Sequence, residues 1–228
     1  MSKGQHIRIT GLAKAVGAAS GRSENGIGRR ERRAAETRVR LFRCALQLIA
    51  ERGYTNVTVE DITEAADVGK GTFFNYFETK DHVLGVMAEI QLSKVREAAS
   101  LAGEGKQKIQ SVLHRLVMLL AEEPGHSPAL ARAMISSFLA SEGVRAIIDR
   151  NMREGRKAIA EIVAAGQERG EIDEKLKKNK IAIQLQQMLM GTVLLWSLHG
   201  KPALDAWVED SFQHMWRAIA VSNQESKP

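Results

Sequence analysis

Apolar residues recur at helical spacing through nearly the whole chain from about Glu31 onward. In the first such segment Leu41, Ala45, Leu48 and Ile49 follow the i, i+4, i+7, i+8 pattern of a helix with one buried face. No run of residues shows the sustained alternation of apolar and polar positions that predicts a strand. The pattern therefore predicts an all-α fold.

Glycine, proline and capping residues divide this pattern into about nine helices. The first ends at Gly53. The others are predicted to cover about 59–66, 70–76, 80–101, 107–121, 128–141, 144–165, 176–198 and 203–221.

The second and third of these helices are short and lie close together in sequence. Thr58 is placed to cap the second helix, and Asp61 three residues later completes a capping-box variant. Residues 67–69, Asp-Val-Gly, form a tight turn before the third helix, whose exposed N-terminal end carries Lys70 and Thr72. Two short helices joined in this way indicate a helix-turn-helix, which places its second helix in the major groove of DNA.

The side chains of the third helix are assigned to two faces. Phe74 and Phe77, three residues apart, are predicted to face inward as core. Asn75 is the candidate for base reading, because Asn can pair bidentately with adenine; contact with phosphate is the alternative. The residues left facing the DNA are then Gly71, Phe73, Asn75 and Tyr76.

The segment from Arg38 through CALQLIAERGYTNVTVEDITEAADVGKGTFFNYFETKDHVL resembles the DNA-binding domain of TetR-type transcriptional regulators. The resemblance implies a three-helix DNA-binding domain, a fourth helix leading to a ligand domain, and homodimers formed mostly by the last two helices. Two positions depart from the family pattern: Gly69 replaces the usual Ser cap, and Phe74 replaces the common Tyr. The DNA contacts that the resemblance implies are Thr58, Lys70, Gly71, Thr72, Phe73, Asn75, Tyr76 and Lys80.

Positive charge is concentrated at the N-terminus. The net charge is +6, and residues 1–40 contain ten Lys and Arg against three Glu. Such a segment suits a polyanion, and we expect a flexible basic extension over residues 1–33 whose arginines reach the minor groove; a solvated tail is the alternative. The proposed arm consists of Arg29, Arg30, Arg32 and Arg33. The predicted domains are this extension, a helix-turn-helix domain over 34–80, and a ligand-binding and dimerisation domain over 81–228.

The eighth helix is apolar on more than one face, as expected of a helix that is buried on two sides. With the ninth it is predicted to form a four-helix interface in a homodimer; an ordinary internal core is the alternative. The interface residues predicted are Leu185, Met188, Leu189, Thr192, Trp196, Phe212, Met215 and Trp216.

By the same resemblance, helices four to seven enclose a pocket for a small, mostly apolar effector of unknown identity. Residues were chosen for its lining only as apolar side chains on plausible inner faces, and plain core is the alternative. They are Met87, Leu113, Val117, Phe138 and Met152.

Other functional classes are disfavoured. The six His residues are scattered, Cys44 is the single cysteine, and no spacing suits a metal site or a catalytic nucleophile, so we expect no enzyme activity, no metal and no cofactor. The sequence has no stretch of 18 or more uncharged apolar residues, so we expect no membrane span. The sequence predicts a bacterial, cytoplasmic, ligand-responsive repressor. Its predicted partners are palindromic double-stranded operator DNA, a second copy of itself and a small effector. An all-helical dimeric adaptor with a purely structural helix-turn-helix is the rival.

Overall fold

The computed structural model describes residues 29–221, with side chains from residue 33 onward. Within that range the chain forms nine α-helices and no strand, apart from an isolated antiparallel bridge between Ile172 and Ala220. The all-α prediction is confirmed. The helices are α1 (Arg29–Arg52), α2 (Val59–Ala65), α3 (Lys70–Phe74), α4 (Lys80–Gly103), α5 (Ile109–Ala121), α6 (Pro128–Ala140), α7 (Glu142–Glu168), α8 (Lys178–His199) and α9 (Leu204–Ile219).

Local chemistry explains where several helices begin and end. Gly53 follows α1 with φ of 79° and Gly200 follows α8 with φ of 73°, conformations that favour glycine. Ser127 caps α6 by accepting from the Leu130 amide at 3.1 Å, and proline occupies the first helical position. Ser141 accepts from the Val144 amide at 3.3 Å, which lets α7 begin earlier than predicted.

The first compact unit consists of the described residues up to Gln91 together with Glu122–Asp149. It contains α1, α2, α3, the first half of α4, α6 and the start of α7. Helix α1 packs against both α2 and α6, and a 3-10 turn at Tyr54–Asn56 also packs against α6. The fully buried centre of this unit includes Leu41, Phe42, Ile49, Ile62, Phe73 and Ile90. Packing therefore divides the chain differently from the functional domains expected from sequence, which stay a prediction.

The second compact unit consists of Leu92–Ala121 and the described residues from Arg150 onward. Helix α9 packs against α5 and α8, and α5 also contacts α8. Gly166 lies so close to Ile172 that an added Cβ would approach its Cδ1 to 2.7 Å. The side chains at its centre include Ile109, Leu113, Leu116, Ile162, Val163 and Phe212.

Helix α8 is the one helix in the described range that is long and apolar enough to cross a membrane by length and composition. This is weak evidence for a span, because a core helix of a soluble protein meets the same criteria. One side of α8 is indeed buried against the protein, through residues such as Ile181, Leu185 and Trp196.

Candidate nucleic-acid interface

The start of α2 is held by a capping box. The Thr58 hydroxyl accepts from the Asp61 amide at 3.1 Å, and the Asp61 carboxylate accepts from the Thr58 amide at 2.8 Å. The Thr58 hydroxyl also donates to that carboxylate at 2.6 Å, and Arg52 donates to it at 3.2 Å. The hydrogen bonds from Thr58, aided by Arg52, hold the pKa of Asp61 below its usual value. The predicted cap is confirmed, and it leaves Thr58 exposed at the surface.

The turn between α2 and α3 is compact and needs one left-handed residue. Asp67 has φ of 50°, a conformation that Asp tolerates better than most residues. The Val68 amide donates to the Thr63 carbonyl at 3.0 Å, which closes the turn. Gly69 then takes the N-cap position of α3 without a side-chain hydrogen bond. The two helices of the motif are thus set by local backbone chemistry.

The two phenylalanines of α3, Phe73 and Phe74, each face the opposite way to that predicted. Phe73 is 0% exposed and packs against the buried Phe77, with ring centroids 5.3 Å apart and the ring planes tilted by 39°. Phe74 is 48% exposed and touches Phe73 only edge-on. The prediction that Phe73 faces the DNA and Phe74 the core is therefore wrong. The observed core pair, Phe73 and Phe77, has i, i+4 spacing, whereas the predicted pair, Phe74 and Phe77, has i, i+3 spacing. Both spacings bring side chains together on a helix, so a five-residue segment does not distinguish the two pairs.

The outward face of α3 is formed by the exposed residues Lys70, Gly71, Phe74 and Asn75. We call this set the α3 outer face. Gly71 has nothing within 4 Å of the position that a Cβ would take, so the surface there is open to a close approach. Thr72 and Tyr76 are half-buried at its edges.

The ammonium group of Lys70 is paired within the protein. It donates to the carboxylate of Glu60 on α2, and this hydrogen bond holds the pKa of Glu60 below its usual value. Both side chains remain more than half exposed, so solvent screens the pair and a phosphate could replace the carboxylate as its partner. Lys70 is thus available for the phosphate contact expected of it.

Lys80, the first residue of α4, has an internal role. Its ammonium donates to the Tyr54 carbonyl at 2.8 Å and the Val57 carbonyl at 2.7 Å, and it lies 4.1 Å from the centroid of the Tyr54 ring. Burial lowers the pKa of Lys80. Sequence reasoning assigned this lysine to the DNA backbone; the structure instead directs it to the turn that precedes α2. These contacts hold the turn, and a contact of Lys80 with the DNA backbone stays a prediction.

Asp81 joins the same turn to the start of α7, a connection that sequence reasoning missed. The Tyr54 hydroxyl donates to one oxygen of the Asp81 carboxylate, and the Ser141 hydroxyl donates to the other at 2.6 Å. Gly143 makes room for this contact, because a Cβ there would lie 2.6 Å from Asp81. We call Tyr54, Asp81 and Ser141 the turn clamp. No short-range sequence signal marks it, since its members are far apart along the chain.

The predicted minor-groove arm does not form an extended segment. Residues 29–33 belong to α1, which begins at Arg29, so the boundary expected at residue 33 is wrong for these positions. Arg33 is exposed on that helix, and the side chains of Arg29, Arg30 and Arg32 lie outside the described residues, as do residues 1–28. Contact of these arginines with DNA stays a prediction.

Comparison with known proteins agrees with this geometry. Residues 41–87 match the family model described as bacterial regulatory proteins, tetR family. The HTH-type transcriptional regulator TcmR of Streptomyces glaucescens is 35% identical over 62% of the chain, which spans 65% of the length of TcmR. The DNA-binding domain of this chain is therefore a TetR-family domain.

Two further similarities extend over more of this TetR-family chain. The HTH-type transcriptional repressor DhaR of a Mycobacterium strain is 27% identical over 79% of the chain and 92% of its own length. The TetR-family repressor FadR of Thermus thermophilus, solved in complex with lauroyl-CoA, is 25% identical, with a TM-score of 0.60 over 84% of this chain and 99% of that one. The family member described here is accordingly a DNA-binding transcriptional regulator with an all-α fold.

The residues predicted to line an effector pocket lie in two separate units of this TetR-family protein. Met87 and Phe138 pack in the core of the first unit. Leu113 and Val117 are buried in the second, and Met152 there is half-buried. Their assignment to one pocket stays a prediction.

Half of the residues predicted for the dimer interface are buried in the chain's own core. Four of them are buried within the second unit and are not available to a partner: Leu185, Thr192, Trp196 and Phe212. The other four are half-buried: Met188, Leu189, Met215 and Trp216. The exposed apolar residues of α8 are different ones, namely Ile183, Met190, Leu194, Leu195 and Leu198. Helix α8 is apolar on both sides, so sequence alone does not say which side meets the core. A dimer contact by the four half-buried residues stays a prediction.

Proposed function

We propose that this protein is a ligand-responsive repressor that binds a palindromic operator as a homodimer and is released by a small, mostly apolar effector. The observation that carries the proposal is the exposed apolar face of α8. An exposed face of this kind in a DNA-binding regulator marks an interaction surface, and a second copy of the chain is the occupant that fits a two-fold operator.

The exposed face follows one side of α8. Ile183, Met190, Leu194 and Leu198 are spaced by seven, four and four residues, so they form a single stripe along the helix. We call these four residues the α8 stripe. The other side of α8 is buried in the chain's own core. A helix with a buried side and an exposed apolar stripe is suited to pack against two surfaces at once. Two copies of α8 and α9 facing each other across a two-fold axis would cover the stripe.

A two-fold dimer presents two copies of the α3 outer face. Helix-turn-helix dimers of this kind bind half-sites about one helical turn of DNA apart, and the operator repeats the symmetry of the protein. In each half-site we assign Asn75 to a base edge and Lys70 and Thr58 to phosphates.

The turn clamp supports a route for the effector's influence. It links the turn before α2 to the α6–α7 junction within the first compact unit. An effector that moved this junction would shift the helix-turn-helix and change the distance between the two copies of α3. Moving the population from mostly bound to mostly free requires about 5.5 kcal/mol of differential affinity. The acyl chain of the lauroyl-CoA in the Thermus thermophilus structure supports an effector with an apolar part for this chain as well.

The dimer is tested by placing charge in the α8 stripe. Leu194→Glu brings two carboxylates close to the two-fold axis, where removal from water is costly. We expect sedimentation equilibrium to show a dimer for the wild type and a monomer for the variant, with loss of affinity for the complete operator. Leu139→Glu is the control, because Leu139 is also an exposed leucine but lies on α6, away from the α8 stripe. A Leu194→Glu protein that stayed dimeric would contradict the proposed interface.

The operator is tested by selecting the purified protein against random duplex DNA at near-physiological salt. Recovery of a palindromic consensus supports the proposal. Weak binding that ignores sequence and disappears with added salt would contradict it and favour the adaptor. Once an operator is known, fatty acyl-CoA compounds of increasing chain length are the first effectors to assay for release of DNA.

A further inference from the structure

The α3 outer face carries one feature that the proposed function does not use, the exposed ring of Phe74. This large aromatic side chain is 48% exposed on the helix that a helix-turn-helix places in the major groove of DNA, so the ring faces the bases when α3 is bound. Neighbouring Phe73 and Phe77 already fill the core beneath α3, so the ring of Phe74 is not needed for packing.

The position of the ring is fixed. Phe74 meets the buried Phe73 edge-on, with ring centroids 5.5 Å apart and planes at 87°, the T-shaped geometry that aromatic pairs prefer. A ring held in this way loses little conformational freedom when it binds. It is therefore suited to a contact with one defined group rather than to a general apolar surface.

The surroundings of the ring select the kind of group. Gly71, one turn earlier, leaves open space beside it, and the ammonium of Lys70 is drawn towards Glu60 on α2. Asn75 is the next residue and is exposed on the same face. An apolar ring beside an amide matches the two features that A·T pairs present in the major groove, where thymine offers a methyl group and adenine offers a donor and an acceptor.

We propose that Phe74 is a specificity-determining residue that contacts the C5-methyl group of a thymine in each operator half-site. The thymine lies next to the base pair whose identity depends on Asn75. This inference rests on the proposed function insofar as α3 must enter the major groove of a specific operator.

The test removes the methyl group alone. Deoxyuridine presents the same hydrogen-bonding edge as thymine but lacks the C5-methyl, so each operator thymine is replaced in turn and the Kd is measured. Burial of one methyl group corresponds to a loss of about fourfold in affinity, and substitution in both half-sites to roughly sixteenfold. We expect this loss in the wild type at one thymine per half-site, and no loss at that position in Phe74→Ala.

The comparison of protein and DNA changes forms a double-mutant cycle, which cancels effects of uracil on DNA shape. Asn75→Ala is the matched control: it is expected to bind more weakly and to relax specificity at its own base pair, yet to keep the penalty for uracil. Should Phe74→Ala bind too weakly to measure, Phe74→Leu enters the cycle in its place, with the penalty reduced rather than lost.

Two results would overturn the inference. One is a wild-type protein that tolerates uracil at every operator thymine. The other is a penalty for uracil that persists unchanged when Phe74 is replaced. Both are distinct from failure of the proposed function, in which the selection recovers no specific operator and the cycle has no starting duplex.

Discussion

Replacement of Lys80 by methionine separates the two roles that this residue has been assigned. Met has a similar length and no charge, so Lys80→Met removes the ammonium while keeping the aliphatic part of the side chain. If the lysine positions the turn before α2, the variant is less stable. If it contacts a DNA phosphate, the variant loses an electrostatic contact with the operator instead.

The magnitude follows from three contacts. The ammonium donates to the carbonyls of Tyr54 and Val57 and lies over the Tyr54 ring. Hydrogen bonds from a charged group contribute about 1.5–3 kcal/mol each, and a cation–π contact at a partly exposed site about 1 kcal/mol. The cost of partly burying the ammonium, seen in its lowered pKa, and its remaining contact with water reduce the total. We expect Lys80→Met to lower the free energy of unfolding by about 2–4 kcal/mol.

The assay combines denaturant unfolding with operator binding at several salt concentrations. The affinity falls as salt is added, and loss of one phosphate contact makes the slope of log K against log salt shallower by about 0.9, or by about twice that for a dimer. Replacement of a positioning residue leaves the slope unchanged. Lys70→Met is the matched control, because Lys70 is exposed and its pair with Glu60 contributes little to stability. That control is expected to lower the slope and leave unfolding nearly unchanged. A Lys80→Met protein of normal stability with a reduced slope would refute the positioning role.

Three further predictions concern the same unit. Phe73→Ala removes a fully buried ring and is expected to cost about 3–5 kcal/mol in urea unfolding; a cost below about 1 kcal/mol would contradict its place in the core. Thr58→Ala is expected to cost about 1 kcal/mol at pH 7. Because the cap lowers the pKa of Asp61, its ionic part is fully present above the usual Asp pKa of about 4 and is lost as the pH falls through the lowered pKa. The difference in the free energy of unfolding between wild type and variant should therefore shrink in acid, and a difference that grew would argue against the cap. Asp81→Asn replaces one acceptor oxygen by an amide nitrogen, so it loses one of the two hydrogen bonds that Asp81 accepts from hydroxyl groups. It is expected to speed hydrogen exchange at residues 54–57, with α8 and α9 as internal reference.

Much of this protein is determined by short-range features of its sequence. Helical periodicity, Gly53 and the cap at Thr58 act within a few residues, and these signals predicted the all-α fold, most helix limits and the helix-turn-helix. A capping box or a left-handed glycine works through hydrogen bonds of the local backbone, so it can be identified without knowing what packs nearby. The family resemblance rests on the same segment.

Tertiary structure decided which side chains are covered. A five-residue helix has too few positions for its buried face to be inferred from spacing, so only its packing on the core of the first unit shows that Phe73 is inside and Phe74 outside. A helix that is apolar on both sides, such as α8, likewise shows its free face only when its neighbours are in place. The inward turn of Lys80 and the bonds of Asp81 depend on partners that are distant in sequence, and such contacts have no local pattern because they arise from the meeting of separate elements.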